Sequence, residues 1–146
     1  MKVEGTYLIQ SDQKRVWDRI LDPEVLASCI PGCEELTPMG DGRYQAALRV
    51  GIGAISGTYS GSVRVSNEDE PRSFKLTVEG KGAAGNVNGE GVLSLSAKTG
   101  ATEVQVQGDA QVTGLIARVG QRLIEAVTKT MTDQFFGCLK SRIEAG

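Results

Sequence analysis

The sequence contains no histidine, which removes Ser-His-Asp and Cys-His relays at once and leaves any acid–base work to carboxylates or phenols. Asp18, Asp22, Glu24, Glu34 and Glu35 crowd the N-terminal region, but in the alternating pattern of solvated helix faces and helix starts. The tyrosines are better placed. Tyr7, Tyr44 and Tyr59 fall at positions expected to face inward, and a buried phenol needs a partner, either a backbone carbonyl or the polar head of a ligand. Cys29, Cys33 and Cys138 are too few for a zinc site without histidine, and as a disulfide framework they leave one over. They read as ordinary packing or loop cysteines. Gly51-Ile52-Gly53 resembles a scrap of a nucleotide loop, but no Gly-Lys-Ser/Thr follows it. No catalytic residue, metal ligand or cofactor site is therefore expected.

Charge and length narrow the classes further. The net charge is −2 with basic and acidic residues interspersed, which is unlike a phosphate-binding surface, so no nucleic acid is expected. No apolar run is long enough to span a bilayer, and Lys2-Val3-Glu4 lacks a signal peptide's apolar core. A cytoplasmic location is the default expectation. At 146 residues, one domain covering 1–146 can bury a sizeable core.

The elements that must position these residues follow from periodicity. From about residue 114 to 143, Ile116, Val119, Leu123, Ile124, Val127, Met131, Phe135 and Leu139 recur at steps of three and four. That spacing predicts one long amphipathic helix, roughly 40 Å at about 1.5 Å per residue. At the other end, Val3, Gly5, Tyr7 and Ile9 alternate as a strand. A helix capped by Ser11 or Asp12 follows to about Leu21, then a short one with Pro23 at its first position. Between Glu34 and Val112, period-two alternation broken by turn residues predicts an antiparallel meander of about six strands.

Parity assigns Tyr44, Leu48, Ile55, Tyr59, Phe74 and Leu76 to the face opposite the long helix, with Leu123, Ile124 and Val127 facing them from it. The same face receives Gly57, Gly61, Gly80, Gly89, Gly91 and Gly108. Glycine inside a strand marks a bend or a close approach. Here it means that the helix sits close against a sharply curled sheet, or that volume is withheld for a ligand, and the two are compatible because a strongly curved sheet gripping one helix leaves a hollow at one end. The second reading makes those side chains, with Ile30, the lining of an apolar cavity. Leucine at Gly61 or Gly91 should then fill the hollow without breaking the fold. The mobile lips should be residues 28–33, carrying Ile30, and residues 51–57.

Val16-Trp17, Asp22-Pro23-Glu24-Val25-Leu26-Ala27, Cys29-Ile30-Pro31-Gly32-Cys33-Glu34, Gly57-Thr58-Tyr59 and Asp133-Gln134-Phe135-Phe136 together resemble the CoxG family of carbon monoxide dehydrogenase subunits, within the START-like, polyketide-cyclase-related superfamily. The resemblance implies an α+β helix-grip fold: a seven-stranded antiparallel sheet curved around a long C-terminal helix, with two short helices after strand 1. It further implies a non-catalytic protein that holds a lipophilic small molecule such as a quinone. Its partners would be molybdenum hydroxylase subunits of the carbon monoxide dehydrogenase type, with peripheral contact at the inner face of the membrane. Some members carry an apolar tail beyond the long helix. This sequence stops at Gly146, so membrane contact is expected of the domain surface itself. The alternatives are a small cyclase- or hydratase-type enzyme, which the superfamily contains, and an assembly factor with a vestigial cavity.

Overall fold

The computed structural model describes residues 1–51 and 56–145. Strands β1 (Lys2–Ile9), β2 (Cys33–Gly40), β3 (Arg43–Val50), β4 (Gly57–Asp69), β5 (Ser73–Gly82), β6 (Gly85–Lys98) and β7 (Ala101–Thr113) form one antiparallel sheet in the order β1-β7-β6-β5-β4-β3-β2. From β2 to β7 each strand pairs with the next, and β1 adds to the far side of β7. The tight β2–β3 turn needs left-handed backbone, supplied by Gly40, Asp41 and Gly42 at φ of 85°, 55° and 73°.

Helices α1 (Gln13–Ile20) and α2 (Pro23–Cys29) lie between β1 and β2. Each starts where an aspartate satisfies free backbone donors: Asp12 accepts from the Arg15 N–H at 3.2 Å, and Asp22 from the Glu24 N–H at 3.0 Å. The long helix differs from its sequence prediction. Residues Leu115–Val119 form a separate 3-10 turn, and α3 proper is Gln121–Ala145. Glycines at positive φ bound that turn, Gly114 at 87° and Gly120 at 99°, so the periodic pattern continues through a backbone that does not.

The core gathers at one end of the sheet. Ile9, Val65, Phe74, Leu93, Leu95 and Val104 are buried there under Val16, Trp17 and Ile20 of α1 and Phe136, Leu139 and Ile143 of α3. Trp17 meets Phe74 edge to face at 5.5 Å, a contact worth about 0.5–1.5 kcal/mol beyond burial. Side chains lock this end. Gln13 Nε2 donates to the Pro71 and Leu95 carbonyls at 3.1 and 2.9 Å, and Arg15 Nη2 donates to the Ile143 carbonyl at 3.2 Å.

The cysteines correct the sequence reading. Cys29 and Cys138 form a disulfide joining the end of α2 to α3, with Cα atoms 5.3 Å apart and a sequence separation of 109; Cys33 stays free. Arg142 Nη1 donates to Ser28 Oγ at 2.6 Å beside it. Cross-linking so long a loop restricts the unfolded chain, so reduction or Cys138→Ser should lower stability by about 2–4 kcal/mol, read as the difference in urea unfolding with and without reductant. Cys33→Ser should change nothing. A thiol titration finding all cysteines free in the native, air-oxidised protein would remove this staple.

Candidate functional site

Away from the closed end, the inner face of the sheet is poorly covered. Leu48, Val63, Val78, Val87 and Val112 point to the same side as the core yet remain half-buried. In register they form adjoining rows: Tyr44 with Val63, Val63 with Val78, Leu48 with Tyr59, and Val87 with Val112. Over them α3 buries Val127 to 7% exposure, but Leu123, one turn earlier on the same stripe, is 42% exposed. Apolar side chains on this face of the sheet and at the start of α3 thus remain within reach of solvent.

The glycines decide between the two sequence readings. A methyl group built on Gly61, Gly80, Gly89, Gly91 or Gly108 would meet strand atoms only, and its nearest neighbours include no atom of α3. The helix does not press on them. Their roles then divide. Gly91 and Gly108 face each other in register, and a Cβ on Gly108 would stand 2.6 Å from the Glu90 carbonyl oxygen. On Gly91 it would stand 3.0 Å from the Gln107 carbonyl oxygen. These two glycines let neighbouring strands crowd, so the expectation that leucine at Gly91 fills empty space is corrected. At Gly61 the nearest atom is the Glu79 carbonyl oxygen at 3.1 Å. Gly80 is open: its Cβ would meet only the Val87 Cβ at 3.9 Å.

Of the expected lining residues, Tyr44, Leu48 and Leu76 are half-buried on the inner face, and Tyr59 is buried with its ring over Gly82. Tyr44 and Leu76 pack against the closed core, and along one stripe of α3 Leu123 is exposed, Ile124 half-buried and Val127 buried. Phe74 stands apart, 3% exposed in the closed core against Trp17. Ile55 lies outside the described residues. Ile30 is half-buried at the end of α2, its N–H bonded to the Leu26 carbonyl. The segment 28–33, expected as a mobile lip, is tied on two sides: by the disulfide at Cys29, and by the Arg49 N–H donating to the Gly32 carbonyl at 2.8 Å. The opposing lip at 51–57 falls largely outside the described residues. Val63, Val78, Gly80 and Val87 lie on the same face, as the parity count that assigned Leu48 places them.

One polar cluster escaped sequence reasoning. Tyr7 stacks on Phe136 at 4.2 Å, and its hydroxyl donates to Asp133 Oδ1 at 2.8 Å; Lys129 Nζ holds Asp133 Oδ2 at 3.0 Å. Burial, reinforced by the hydrogen bond and charge of Asp133, pushes the Tyr7 phenol up to about 12. Lys129 first, then Tyr7, holds the Asp133 carboxyl below its usual range. A carboxylate locked to a lysine is a poor base, so the cluster fastens β1 to α3. Burial also raises the Cys33 thiol, which makes it a weak nucleophile. Among the described residues no group of three Cys, Asp or Glu stands ready to hold a metal. On the opposite face, two open clefts of about 380 and 520 Å³ share Gln45, Ser62 and Glu79. Their walls mix charged side chains with apolar ones, Met39, Tyr44 and Val63 lining the larger.

A seven-stranded antiparallel sheet with two short helices after its first strand and one long C-terminal helix defines a START-like helix-grip protein. A START superfamily protein from Mycobacterium smegmatis superposes with a TM-score of 0.76 at 12% identity, covering 99% of this chain and 97% of that one. A Streptomyces aromatase/cyclase does so with a TM-score of 0.74 at 15% identity, covering 99% and 93%. A conserved protein from Geobacillus kaustophilus is much more similar, with a TM-score of 0.96 at 32% identity and 99% and 96% coverage. Comparison with curated proteins gives no match. The chain belongs to the CoxG family of carbon monoxide dehydrogenase subunits, whose sequence profile matches residues 5–144.

Two outcomes follow from this geometry. Gly80→Val should leave the melting temperature close to the parent's, whereas Gly108→Val must force β6 and β7 apart and should cost about 1–3 kcal/mol or more. Equal melting temperatures for the two would show that the glycines do not divide in this way. For Tyr7, the native phenol is raised above its ordinary value of 10.0, so its contribution to stability is intact below pH 10 and is lost between pH 10 and about 12. Alkaline unfolding of Tyr7→Phe should lack that loss, as followed by circular dichroism.

Proposed function

We propose that this protein is a non-catalytic carrier that holds a lipophilic small molecule with a quinone-like head in the hollow between α3 and the sheet. It would serve as an accessory to a molybdenum hydroxylase of the carbon monoxide dehydrogenase type. The observation that carries the reading is the absence of α3 atoms around Gly61 and Gly80, under a helix whose apolar stripe faces them. Closed packing there would bury about 25 cal/mol per Å² of apolar surface, so leaving the floor bare is costly unless another apolar body covers it. The Tyr44 phenol of β3, half-buried at the margin of the closed core, has no hydrogen-bond partner among the described residues. A phenol can donate to a carbonyl of a ligand head. Membership of the CoxG family supports the role of accessory rather than enzyme, and supports the choice of partner.

The cyclase alternative draws on the shared fold of the Streptomyces enzyme, a likeness at 15% identity that speaks to architecture alone. Nothing in the hollow matches an acid–base pair. Trp17, the sole tryptophan, gives an internal reporter at the closed end. Titration with a short-chain quinone should quench its fluorescence saturably. Val78→Trp, which fills the floor, should weaken uptake by about tenfold or more without a fall in melting temperature. Linear, unsaturable quenching that is identical in both proteins would sink the carrier reading.

A further inference from the structure

Helix α2 is seven residues long, too short to hold its shape without tertiary support. Its buried side chains are Val25 and Cys29, one turn apart, and Cys29 is the residue bonded to α3. One of the two anchors of this helix is therefore half of a covalent bond. What α2 holds in place is the start of an edge strand. Residues 30–32 join it to β2, the last strand of the sheet, paired with β3. There the Arg49 N–H donates to the Gly32 carbonyl at 2.8 Å, the Cys33 N–H closes a turn on the Ile30 carbonyl at 3.1 Å, and Cys33 stands opposite Leu48 in register. Losing the anchor at Cys29 would reach this end of the sheet first, because segments with few buried contacts open before the core does.

The two sulfurs are unequally placed. Cys29 is 3% exposed within the core, whereas Cys138 is half-buried at its margin. On the solvent side of Cys138, α3 carries Gln134, Gly137 and Ser141, all exposed. Gly137 is the informative one. A glycine inside a helix is unfavourable relative to alanine, and nothing lies within 4 Å of where its Cβ would stand, so packing does not require it. Its effect is to leave the approach to Cys138 open. One turn after Cys138, Arg142 donates from Nη1 to Ser28 Oγ at 2.6 Å, which brings a positive charge to the residue next to Cys29. Cysteines that are partly exposed and beside a cation are the ones that react as thiolates.

We propose that Cys29–Cys138 is a thiol–disulfide exchange site, reduced in the folded protein by a dithiol, and that its reduction releases α2 and the start of β2. A thiolate of the reductant attacks the Cys138 sulfur and forms a mixed disulfide, while the Cys29 sulfur leaves and takes up a proton. The second thiol of the reductant then displaces the Cys138 sulfur as a thiolate near Arg142. Two electrons pass to the protein, and the reductant becomes its own disulfide; one of its two thiol protons ends on Cys29 and the other goes to solvent. Cys33 takes no part, since burial makes its thiol a weak nucleophile. A looser wall beside Leu48 would also ease entry of a ligand. That consequence rests on the carrier reading; the exchange does not.

The test follows reduction of the full chain without denaturant. Graded dithiothreitol, quenched by alkylation and read by mass spectrometry, should label Cys29 and Cys138 together, at a rate proportional to the dithiol, while circular dichroism keeps its folded signal. In the reduced protein, and equally in the pair Cys29→Ser with Cys138→Ser, hydrogen exchange should quicken by about tenfold or more in residues 23–33 and 48–50 and stay unchanged in α1 and β7. Reduction only at urea concentrations that unfold the chain, or equally quickened exchange in α1 and β7, overturns the proposal and leaves the bond a staple of the whole fold. Trp17 quenching by short-chain quinone, measured on the parent and on the serine pair without reductant, separates the two readings. Saturable quenching with a bond reducible only on unfolding sinks the switch alone. Quenching that saturates in neither protein, with local loosening on reduction, sinks the carrier reading alone.

Discussion

The structure depends on an unequal grip along one helix. The second half of α3 is held by Phe136, Leu139 and Ile143 in the closed core, by the disulfide to α2, and by the Arg15 contact to its backbone. The first half buries only Val127 among the described residues. A helix is stiff over this length, so fixing one half sets where the other half must stand. It is therefore suspended over strands it does not fill against. The hollow follows from leverage rather than from missing contacts scattered at random.

The sheet contributes the complementary constraint. Gly91 and Gly108 sit opposite each other where adjacent strands approach too closely for a side chain, which permits the curl that brings both flanks toward α3. Gly80 and Gly61 lie two rows farther along the same face, beyond the row of Val63, Val78 and Gly89. One residue type thus makes the curvature and also keeps its inside vacant. Among the described residues no buried side-chain nitrogen or oxygen lacks a hydrogen-bond partner, so the closed end has satisfied its polar groups.

Coupling between the two ends has a physical route. Tyr7 stacks on Phe136 at the margin of the core and bonds Asp133 one turn before it, so β1 and the middle of α3 move as one piece. Beyond Asp133, toward the rim, the helix is held by Val127 and by the 3-10 turn anchored through Ile116. Flexing of α3 that widened the mouth would be concentrated in this first half, between two glycine-bounded ends of the turn and the Tyr7 clamp.

Period-two alternation and the positions of turn residues were enough to place seven strands, two capped helices and the inward face. These are local properties: side-chain parity and cap chemistry act over a few residues. Three features were not legible in this way. The helix break at Gly120 is invisible to periodicity because the apolar pattern runs on through the 3-10 turn. Whether a strand glycine serves bending or vacancy depends on the neighbouring strand's backbone, which is why Gly91 and Gly80 look alike in sequence and differ in space. The Cys29–Cys138 bond joins residues 109 apart, and no local pattern encodes that meeting; it exists only because α2 is folded back against the far half of α3.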